Sequence, residues 1–314
     1  MKSINEKQVI SISVVIPCLN GAATFRVQLE ALASQNHHEP WELIIADGGS
    51  TDTSKEIATE YKDRFAAFRI IDASAKTGPA FARNLGVKAA SADRIAFCDT
   101  DDEVSPNWVS SMANALATYD AVYGKFLFDK FNDADVASQS ADAWKDGLYH
   151  GKFLPGGGTG NLGVKRKVHN AIGGFDERLP WNEDADYYWR LQLEGFKLHW
   201  VPEATVQVRS GRVNPSLYFL YRRARNRSVA NYWSYRKYRH LGMLPPDTVM
   251  KSFINWFHTL KSIIFSWRYG NKKSQLWMQV AQKTGDLVGQ IKARIFNPYK
   301  PYHPKQPFHL KEIL

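Results

Sequence analysis

The chain has 314 residues, a formal net charge of +10 and 44% hydrophobic residues. This length predicts about two domains, and the composition excludes a disordered chain, collagen and a low-complexity array. The two cysteines, Cys18 and Cys98, lie far apart in apolar runs. They exclude a disulfide scaffold and a cysteine zinc site, and they favour a reducing, cytoplasmic compartment. We expect no signal peptide and no transmembrane helix, since no cleavage site and no sufficiently long apolar stretch is seen.

The charge is distributed unevenly. Residues up to 202 carry 21 Lys and Arg against 27 Asp and Glu, whereas residues from 203 onward carry 20 against 4. We therefore predict a catalytic domain over residues 1–212 and a basic, aromatic-rich helical extension over 213–314. The extension is expected to meet an anionic partner; a solvated basic face is the alternative.

The first 130 residues alternate strand and helix patterns, which predicts an α/β fold with a largely parallel sheet. Helices are predicted between the strands. One should open with a capping box of Thr53 and Glu56, and another should begin at Pro79. Ligands bind at the carboxyl ends of the strands in such sheets. The strands are predicted at 12–16, 43–46, 68–71, 95–98 and 121–128.

The pattern is weaker after residue 130. Helices are predicted at 165–172 and 183–194, and short strands at 197–201 and 205–208. Beyond Pro215 the chain is predicted to be helical, with one apolar stripe from Met250 to Trp267 and another from Leu276 to Ile291. We expect the two stripes to pack on each other or on the first domain.

Acidic residues follow two of the predicted strands. The second strand ends at Asp47, and the fourth ends in Asp99-Thr100-Asp101-Asp102. Close carboxylates repel one another, and oxygen ligands on a short loop suit Mg²⁺ or Mn²⁺ shared with substrate phosphates. The alternative is that Asp99 and Asp101 only cap the helix that begins near Pro106.

Seven short motifs follow one another in a fixed order. They are Val14–Asn20, Asp47–Asp52, Ala82–Gly86, Phe97–Asp102, Gly160–Leu162, Gly173–Glu177 and Glu183–Asp186. Over about residues 11–225 the pattern resembles glycosyltransferase family 2, the inverting enzymes with a GT-A fold that use nucleotide-sugar donors. The resemblance implies a Rossmann-like, mostly parallel sheet flanked by helices, with a nucleotide-binding half at about 1–130 and an acceptor half at about 131–212. It does not extend to the C-terminal helical extension.

The resemblance implies that Asp47 accepts a hydrogen bond from the nucleotide base and that Arg83 contacts the base or the diphosphate. It implies Asp101 as a direct ligand of Mn²⁺ or Mg²⁺, with Asp99 on the metal or the ribose. The metal would neutralise charge on the departing nucleoside diphosphate. The residues alone leave a turn at Asp47 and a surface helix arginine at Arg83 as alternatives. The implied donor residues are Pro17, Asn20, Asp47, Arg83, Asp99 and Asp101.

Asp184 matches the general base, which would take the proton from the attacking acceptor hydroxyl. The alternative is a carboxylate that only stabilises the start of a helix. The implied reaction is one in-line displacement that inverts the anomeric configuration. Trp181 suits a sugar-stacking face and suits an ordinary core aromatic equally well. The implied acceptor-side residues are Gly160, Asn161, Trp181, Glu183 and Asp186.

One departure from the family pattern concerns the metal. Many relatives carry a histidine shortly after the Val-Pro-Glu-Ala stretch, whereas residues 201–209 here contain none. His199 lies too early to replace it. Metal binding is then weaker, is completed by other ligands, or is partly replaced by Arg209 or Arg212 acting on the diphosphate; the last of these is our hypothesis.

We predict a metal-dependent, hexosyltransferase-type enzyme that uses a UDP- or dTDP-sugar. Its acceptor would be a glycan or lipid-linked hydroxyl in envelope or exopolysaccharide synthesis. A polyprenyl-phosphate glycosyltransferase and a non-catalytic sugar-nucleotide or glycan-binding relative are alternatives. Nucleic acid is not expected as a partner, because the first half is acidic and lacks a nucleic-acid motif. Basic and aromatic residues interleave over 218–239, which predicts peripheral binding to the anionic inner face of the cell membrane.

Overall fold

The computed structural model describes residues 9–144, 147–210, 215–266 and 273–305. The chain divides into two compact units. The first, here called the sheet unit, comprises Met1–His150, Pro155–Glu177 and Tyr187–Ser210. The second, the helical unit, comprises Gly151–Leu154, Arg178–Asp186 and Gly211–Leu314. The division therefore differs from a single boundary at residue 212, because two short earlier segments group with the C-terminal helices.

The sheet unit is built on one mixed sheet of eight strands. In space the strands follow the order β3-β2-β1-β4-β7-β6-β8-β5. The pairs β1–β2, β2–β3, β1–β4 and β6–β8 are parallel, whereas β7 runs antiparallel to both of its neighbours. The strands are β1 (Ser13–Cys18), β2 (Glu42–Asp47), β3 (Ala67–Asp72), β4 (Arg94–Phe97), β5 (Glu103–Val104), β6 (Ala121–Leu127), β7 (Leu162–Lys165) and β8 (Leu198–Gln207).

The central strands are buried on both faces. In β1, Val14 and Ile16 belong to one apolar cluster, while Val15 between them belongs to another. Successive side chains of a strand point to opposite faces, so a continuous run of apolar residues is needed where helices cover both faces. This is why β1 and β2 are continuous hydrophobic runs in the sequence.

Helices cover the sheet, and α3 shows how closely they pack. A Cβ added to Gly86 would lie 2.3 Å from Val15 Cγ1, so only glycine allows this helix to approach β1 so closely. The predicted start at Pro79 is observed. The helices before the C-terminal region are α1 (Phe25–Ala33), α2 (Ser54–Glu60), α3 (Pro79–Ala89), α4 (Trp108–Thr118), α5 (Ala134–Ala143), α6 (Arg166–Ala171) and α7 (Glu183–Leu193).

The helical unit contains α8 (Leu217–Tyr238), α9 (Val249–Ser266) and α10 (Lys273–Ile295). Two glycines bring α10 against α8. A Cβ at Gly285 would lie 2.2 Å from the Tyr221 carbonyl oxygen, and one at Gly289 would lie 2.5 Å from the Arg225 carbonyl oxygen. Among the described residues, no helix has both the length and the apolar character needed to cross a membrane.

Several predicted elements differ from the observed ones. The capping box is wrong, because Thr53 makes no side-chain cap and Asp52 instead accepts from the Ser54 amide at 3.0 Å. The two short strands at 197–201 and 205–208 form one irregular strand, β8. The pattern did not indicate β5, β7 or α5. The apolar stripe that begins at Met250 was expected to be packed, but Met250, Phe253 and Phe257 are exposed, and Trp267 lies outside the described residues.

Candidate functional site

The chain segment after β1 lies at the switch point of the sheet, where β1 has β2 on one side and β4 on the other. Asn20, in this segment, is bonded to the loop after β2. Thr24 donates from its hydroxyl to the Thr100 carbonyl, 3.3 Å away, in the loop after β4. Ligands of open α/β sheets bind in the crevice at such a point. The segment after β1 and the loops after β2 and β4, which carry or follow predicted donor residues, therefore meet at one edge of the sheet.

Asn20 and Asp47 shape the first two of these loops. Asn20 has a left-handed backbone, with φ of 53°, and its side-chain oxygen accepts from the Thr51 amide at 2.8 Å. Asp47 is buried and accepts from the amides of Gly49 and Ser50, at 3.2 Å each. Asp47 therefore forms the turn that was the alternative to base binding. Pro17 lies within β1 and pairs with Ala46.

Asp99 and Arg83 form an ion pair at the end of β4. Arg83 Nη2 donates to Asp99 Oδ1 over 2.8 Å. The arginine side chain is buried, and its guanidinium lies 5.6 Å from the centre of the Phe175 ring. Arg83 is therefore not a surface helix arginine; α3 directs it toward the acidic motif.

Two carboxylates of the acidic motif converge on Gly160. A Cβ added there would lie 2.8 Å from Asp99 Oδ2 and 3.3 Å from Asp102 Oδ2. Any larger residue at this position would therefore displace the Asp99 carboxylate or the backbone beneath it. Asp101, between them in sequence, is exposed. The structure therefore places Gly160 with the donor-side acids.

Asp102 is the buried member of the acidic group. Burial raises its pKa well above the usual aspartate value, and the charges of Asp99 and Asp101 raise it further. Its Oδ1 accepts from the Arg209 amide at 3.2 Å. The Arg209 guanidinium stacks on Phe131, 4.1 Å from the ring centre. Arg212, the other arginine that was expected to act on the diphosphate, lies outside the described residues.

The acidic group fits a divalent cation in its charge and its ligand type. Burial raises the pKa of Asp102, the charges of Asp99 and Asp101 raise it further, and a bound cation would relieve that repulsion. Mg²⁺ and Mn²⁺ accept carboxylate oxygens and are commonly held by one or two carboxylates together with substrate phosphates. Within the described parts of the chain, no three or more His, Cys, Asp or Glu side chains are arranged to hold a metal ion.

Asn161 is fully buried, and its side-chain bonds are made inside the protein. Its oxygen accepts from Trp108 Nε1 at 2.8 Å, and its Nδ2 donates to the carbonyls of Ala204 and Lys125, at 3.0 and 3.1 Å. These bonds join α4, β6 and β8 at one residue. Asn161 thus fixes the backbone of its neighbour Gly160.

The predicted base and most acceptor-side residues belong to the helical unit, in the segment Arg178–Asp186. Asp184 and Glu183 are half-buried in the first turn of α7. Asp184 Oδ1 accepts from the following amide, that of Ala185, at 2.7 Å. Just before the helix, Asn182 has a left-handed backbone, with φ of 64°, and donates to Asn231 Oδ1 at 2.7 Å. This strained residue sets the direction in which α7 begins.

Asp186 and Trp181 contact α8 from the same segment. Asp186 is fully buried, and its Oδ1 accepts from Lys237 Nζ and from the Tyr238 hydroxyl, at 2.6 Å each. The ring centre of Trp181 lies 5.4 Å from the Arg223 guanidinium. Partial burial lowers the pKa of Arg223, and the nearby charge of Arg227 lowers it further.

Sequence reasoning missed several residues that shape these sites. Lys237 lies 51 residues from the acid it pairs with, and no local pattern links the two. Its position in a basic stretch suggested a surface role instead. Phe175 could have been found, because it belongs to one of the seven motifs. Asn231 and Tyr238 carry no signal of their own.

A sequence profile of glycosyl transferase family 2 matches residues 13–175, more than half of the chain. The chain belongs to this family. The succinoglycan biosynthesis protein ExoA of Rhizobium meliloti is 25% identical over 308 residues, covering 92% of this chain and 88% of ExoA. The uncharacterized glycosyltransferase YibD of Escherichia coli is 36% identical over 134 residues, covering 42% of this chain. That alignment spans only about a third, 34%, of YibD.

Two solved structures share the fold. The mannosyltransferase PcManGT of Pyrobaculum calidifontis, in complex with GDP-Man and Mn²⁺, superposes with a TM-score of 0.56 at 13% identity, covering 90% of this chain and 87% of that one. S. aureus TarS 1–349, in complex with UDP-GlcNAc, gives 0.51 at 14% identity, covering 92% and 93%. The predicted GT-A fold, with helices after the sheet domain, is therefore confirmed.

Proposed function

We propose that this member of glycosyl transferase family 2 is an inverting glycosyltransferase that takes its sugar from a UDP- or dTDP-linked donor. One observation carries the proposal: the carboxylates of Asp99 and Asp102 converge over Gly160 beside the switch point of the sheet. Family membership supplies the reaction class. TarS binds UDP-GlcNAc and PcManGT binds GDP-Man, so GDP is the nucleotide to test against the two proposed ones.

We assign the donor side to Pro17, Asn20, Asp47, Arg83, Asp99 and Asp101. Asp101 and Asp99 would hold Mn²⁺ or Mg²⁺, which when bound supplies Lewis-acid stabilisation of the leaving diphosphate. Arg83 fixes Asp99 through their ion pair and adds positive charge beside the diphosphate. Asn20 holds the loop that carries Asp47 in place. Asn161 acts by positioning Gly160.

We assign the general base to Asp184. As a half-buried carboxylate in the first turn of α7, it would take the proton of the acceptor hydroxyl as that oxygen attacks the anomeric carbon. The bond from the anomeric carbon to the diphosphate breaks as the new glycosidic bond forms, so the configuration inverts. Glu183 and Trp181 lie in the same segment as Asp184 and are proposed to contact the acceptor.

A polyprenyl-phosphate or other lipid-phosphate acceptor is a second candidate, favoured by Arg223. The Arg223 guanidinium lies over the ring of Trp181, and Trp181 precedes Asp184 by three residues. Partial burial and the nearby charge of Arg227 disfavour the charged form of Arg223. An acceptor phosphate would stabilise that charge. Rates with a hydroxyl acceptor and with a prenyl phosphate distinguish the two candidates. In either case we propose envelope or exopolysaccharide synthesis as the setting, and a cytoplasmic location at the inner face of an anionic membrane.

The donor side is tested by thermal unfolding with UDP, dTDP and GDP, each with and without Mn²⁺. A ligand at 100 times its Kd adds about 2.7 kcal/mol, which shifts the midpoint by several degrees. We expect a shift that requires Mn²⁺ with UDP or dTDP. Asp101→Asn should remove the Mn²⁺-dependent part, whereas Asp142→Asn, on the exposed face of α5, should keep it. The absence of a shift with every nucleotide would contradict the donor site.

The base is tested with Asp184→Asn. We expect transfer to fall by about 10²–10⁴ because proton removal is lost, while the nucleotide-dependent shift in midpoint stays at the wild-type value. Retention of near-full turnover would contradict this assignment. A loss of the nucleotide-dependent shift in the same variant would place Asp184 in donor binding instead.

A further inference from the structure

The basic, aromatic stretch that suggested a membrane surface is divided. Tyr218 and four of its six arginines are exposed, whereas its other aromatic side chains are half-buried or buried. Trp233 and Tyr238 are buried, and Lys237 is buried against Asp186. Tyr232 lies 4.4 Å from the Arg294 guanidinium of α10. These side chains of α8 hold the helical unit together. The large apolar side chains that α8 exposes are Leu217 and Tyr218 at its start, so it lacks a broad apolar face for a bilayer.

The next helix, α9, presents the apolar face that α8 does not. Met250, Phe253, Ile254 and Phe257 are 66%, 46%, 46% and 52% exposed. At 100° per residue, these four positions fall within about 100° of one another on the helix, so they form a single stripe. We call these four residues the α9 stripe. Ser252 on the opposite face is buried, and Trp256 donates to Thr284 of α10 at 3.0 Å.

The charged residues near the α9 stripe indicate which kind of surface the stripe would bind. Residues 249–266 contain Lys251 and Lys261 and no Asp or Glu. Arg294 of α10 donates to the Asp247 carbonyl, which brings the basic last turn of α10 to the start of α9. A large exposed apolar face with only cationic charge in its helix matches an anionic lipid surface, where side chains enter the acyl boundary and lysines meet headgroups.

We propose that α9 lies on an anionic bilayer through the α9 stripe, with Lys251 and Lys261 at the headgroups. A second copy of the chain is a poorer occupant, because a symmetric pairing of two α9 helices would bring like charges together. The nearest acid, Asp247, precedes the helix and already pairs with Lys251 of its own chain. The proposal rests on the membrane partner proposed above and is independent of the transfer reaction.

The test is flotation of the full chain with vesicles of phosphatidylcholine alone and of phosphatidylcholine with phosphatidylglycerol. We expect binding to the anionic vesicles that salt weakens. Phe253→Gln/Phe257→Gln should reduce the partition coefficient at least tenfold, since two large apolar side chains no longer enter the bilayer. Lys251→Gln should reduce it about fivefold on anionic vesicles only. The matched control is Val27→Gln/Val136→Gln, two residues that are each 39% exposed in the sheet unit, and it should bind like wild type.

Three results would overturn the proposal: no binding of the wild-type chain to anionic vesicles, unchanged binding of the Phe253/Phe257 variant, or equal loss in the Val27/Val136 control. Sedimentation velocity without lipid tests the second copy, which is the occupant if the Phe253/Phe257 variant abolishes a dimer. The Mn²⁺-dependent nucleotide shift serves as the independent readout. It should be the same in all variants, so failure of the donor site and failure of the α9 surface are distinguishable.

Discussion

Lys237 Nζ lies 2.6 Å from Asp186 Oδ1, with the two side chains only 8% and 0% exposed. The Tyr238 hydroxyl donates to the same carboxylate oxygen. A buried carboxylate requires such partners, because an isolated buried charge is very costly. Two adjacent residues near the end of α8 thus hold the first turn of α7, which also carries Asp184.

Lys237→Met should destabilise the protein by about 3–5 kcal/mol, because it leaves Asp186 buried without its cation. Urea denaturation measures this loss. Lys251→Met removes an exposed ion pair with Asp247 and should cost less than about 0.5 kcal/mol. In the double variant Asp186→Asn/Lys237→Met the loss should be smaller than the sum of the single losses. Equal stability of Lys237→Met and wild type would contradict the importance of this pair.

Gly160→Ala should weaken the Mn²⁺-dependent binding of nucleotide. The new methyl group would lie 2.8 Å from Asp99 Oδ2, so either the carboxylate or the loop must shift. We expect at least a tenfold rise in the nucleotide Kd, measured by calorimetry, and a larger rise for Gly160→Ser. A Kd unchanged in both variants would show that the convergence of carboxylates on Gly160 is not part of donor binding.

Arg83→Lys should also weaken nucleotide binding about tenfold or more, although it keeps the charge. Lysine cannot both donate to Asp99 in the guanidinium geometry and lie over Phe175 as a planar group. Calorimetry with the preferred nucleotide measures the effect. Arg26→Lys, at an exposed pair with Glu60, is the matched control and should bind like wild type.

His169 should make stability fall as the pH drops below about 6.5. Burial lowers its pKa to about 4, and the charges of Arg190 and Arg166 act in the same direction. Between the folded and the unfolded pKa of His169, the unfolded chain binds a proton that the folded chain does not. The full contribution of the neutral histidine to stability is therefore present only above the unfolded pKa. The loss should reach about 3 kcal/mol near pH 4. Urea denaturation at several pH values should show a flatter profile for His169→Gln, and an unchanged one for the exposed His258→Gln.

The meeting of the loops after β1, β2 and β4 at one edge of the sheet was predictable from the sequence. Continuous apolar runs indicate strands that are buried on both faces, and the carboxyl ends of parallel strands meet at one edge of a sheet. The loops that follow Asp47 and Asp99 were therefore expected to lie near each other. The burial of Arg83 was not predictable, because its motif does not show what packs beneath it. Periodicity identified the apolar stripe on α9, but it cannot show whether another element covers that stripe. The expected packing is not observed. The pairing of Lys237 with Asp186 depends on contacts between distant segments.

The segment Arg178–Asp186 groups with helices that come later in the chain. A ribosome therefore completes Gly160 and the acidic motif, and then Asp184, well before it reaches Lys237 and Tyr238. Domains form as units during synthesis, starting from the amino terminus. A nascent or prematurely ended chain that stops before residue 217 would contain every proposed donor residue, yet its Asp186 would lack both partners. The turn that carries the proposed general base would then gain these contacts only after α8 has been translated.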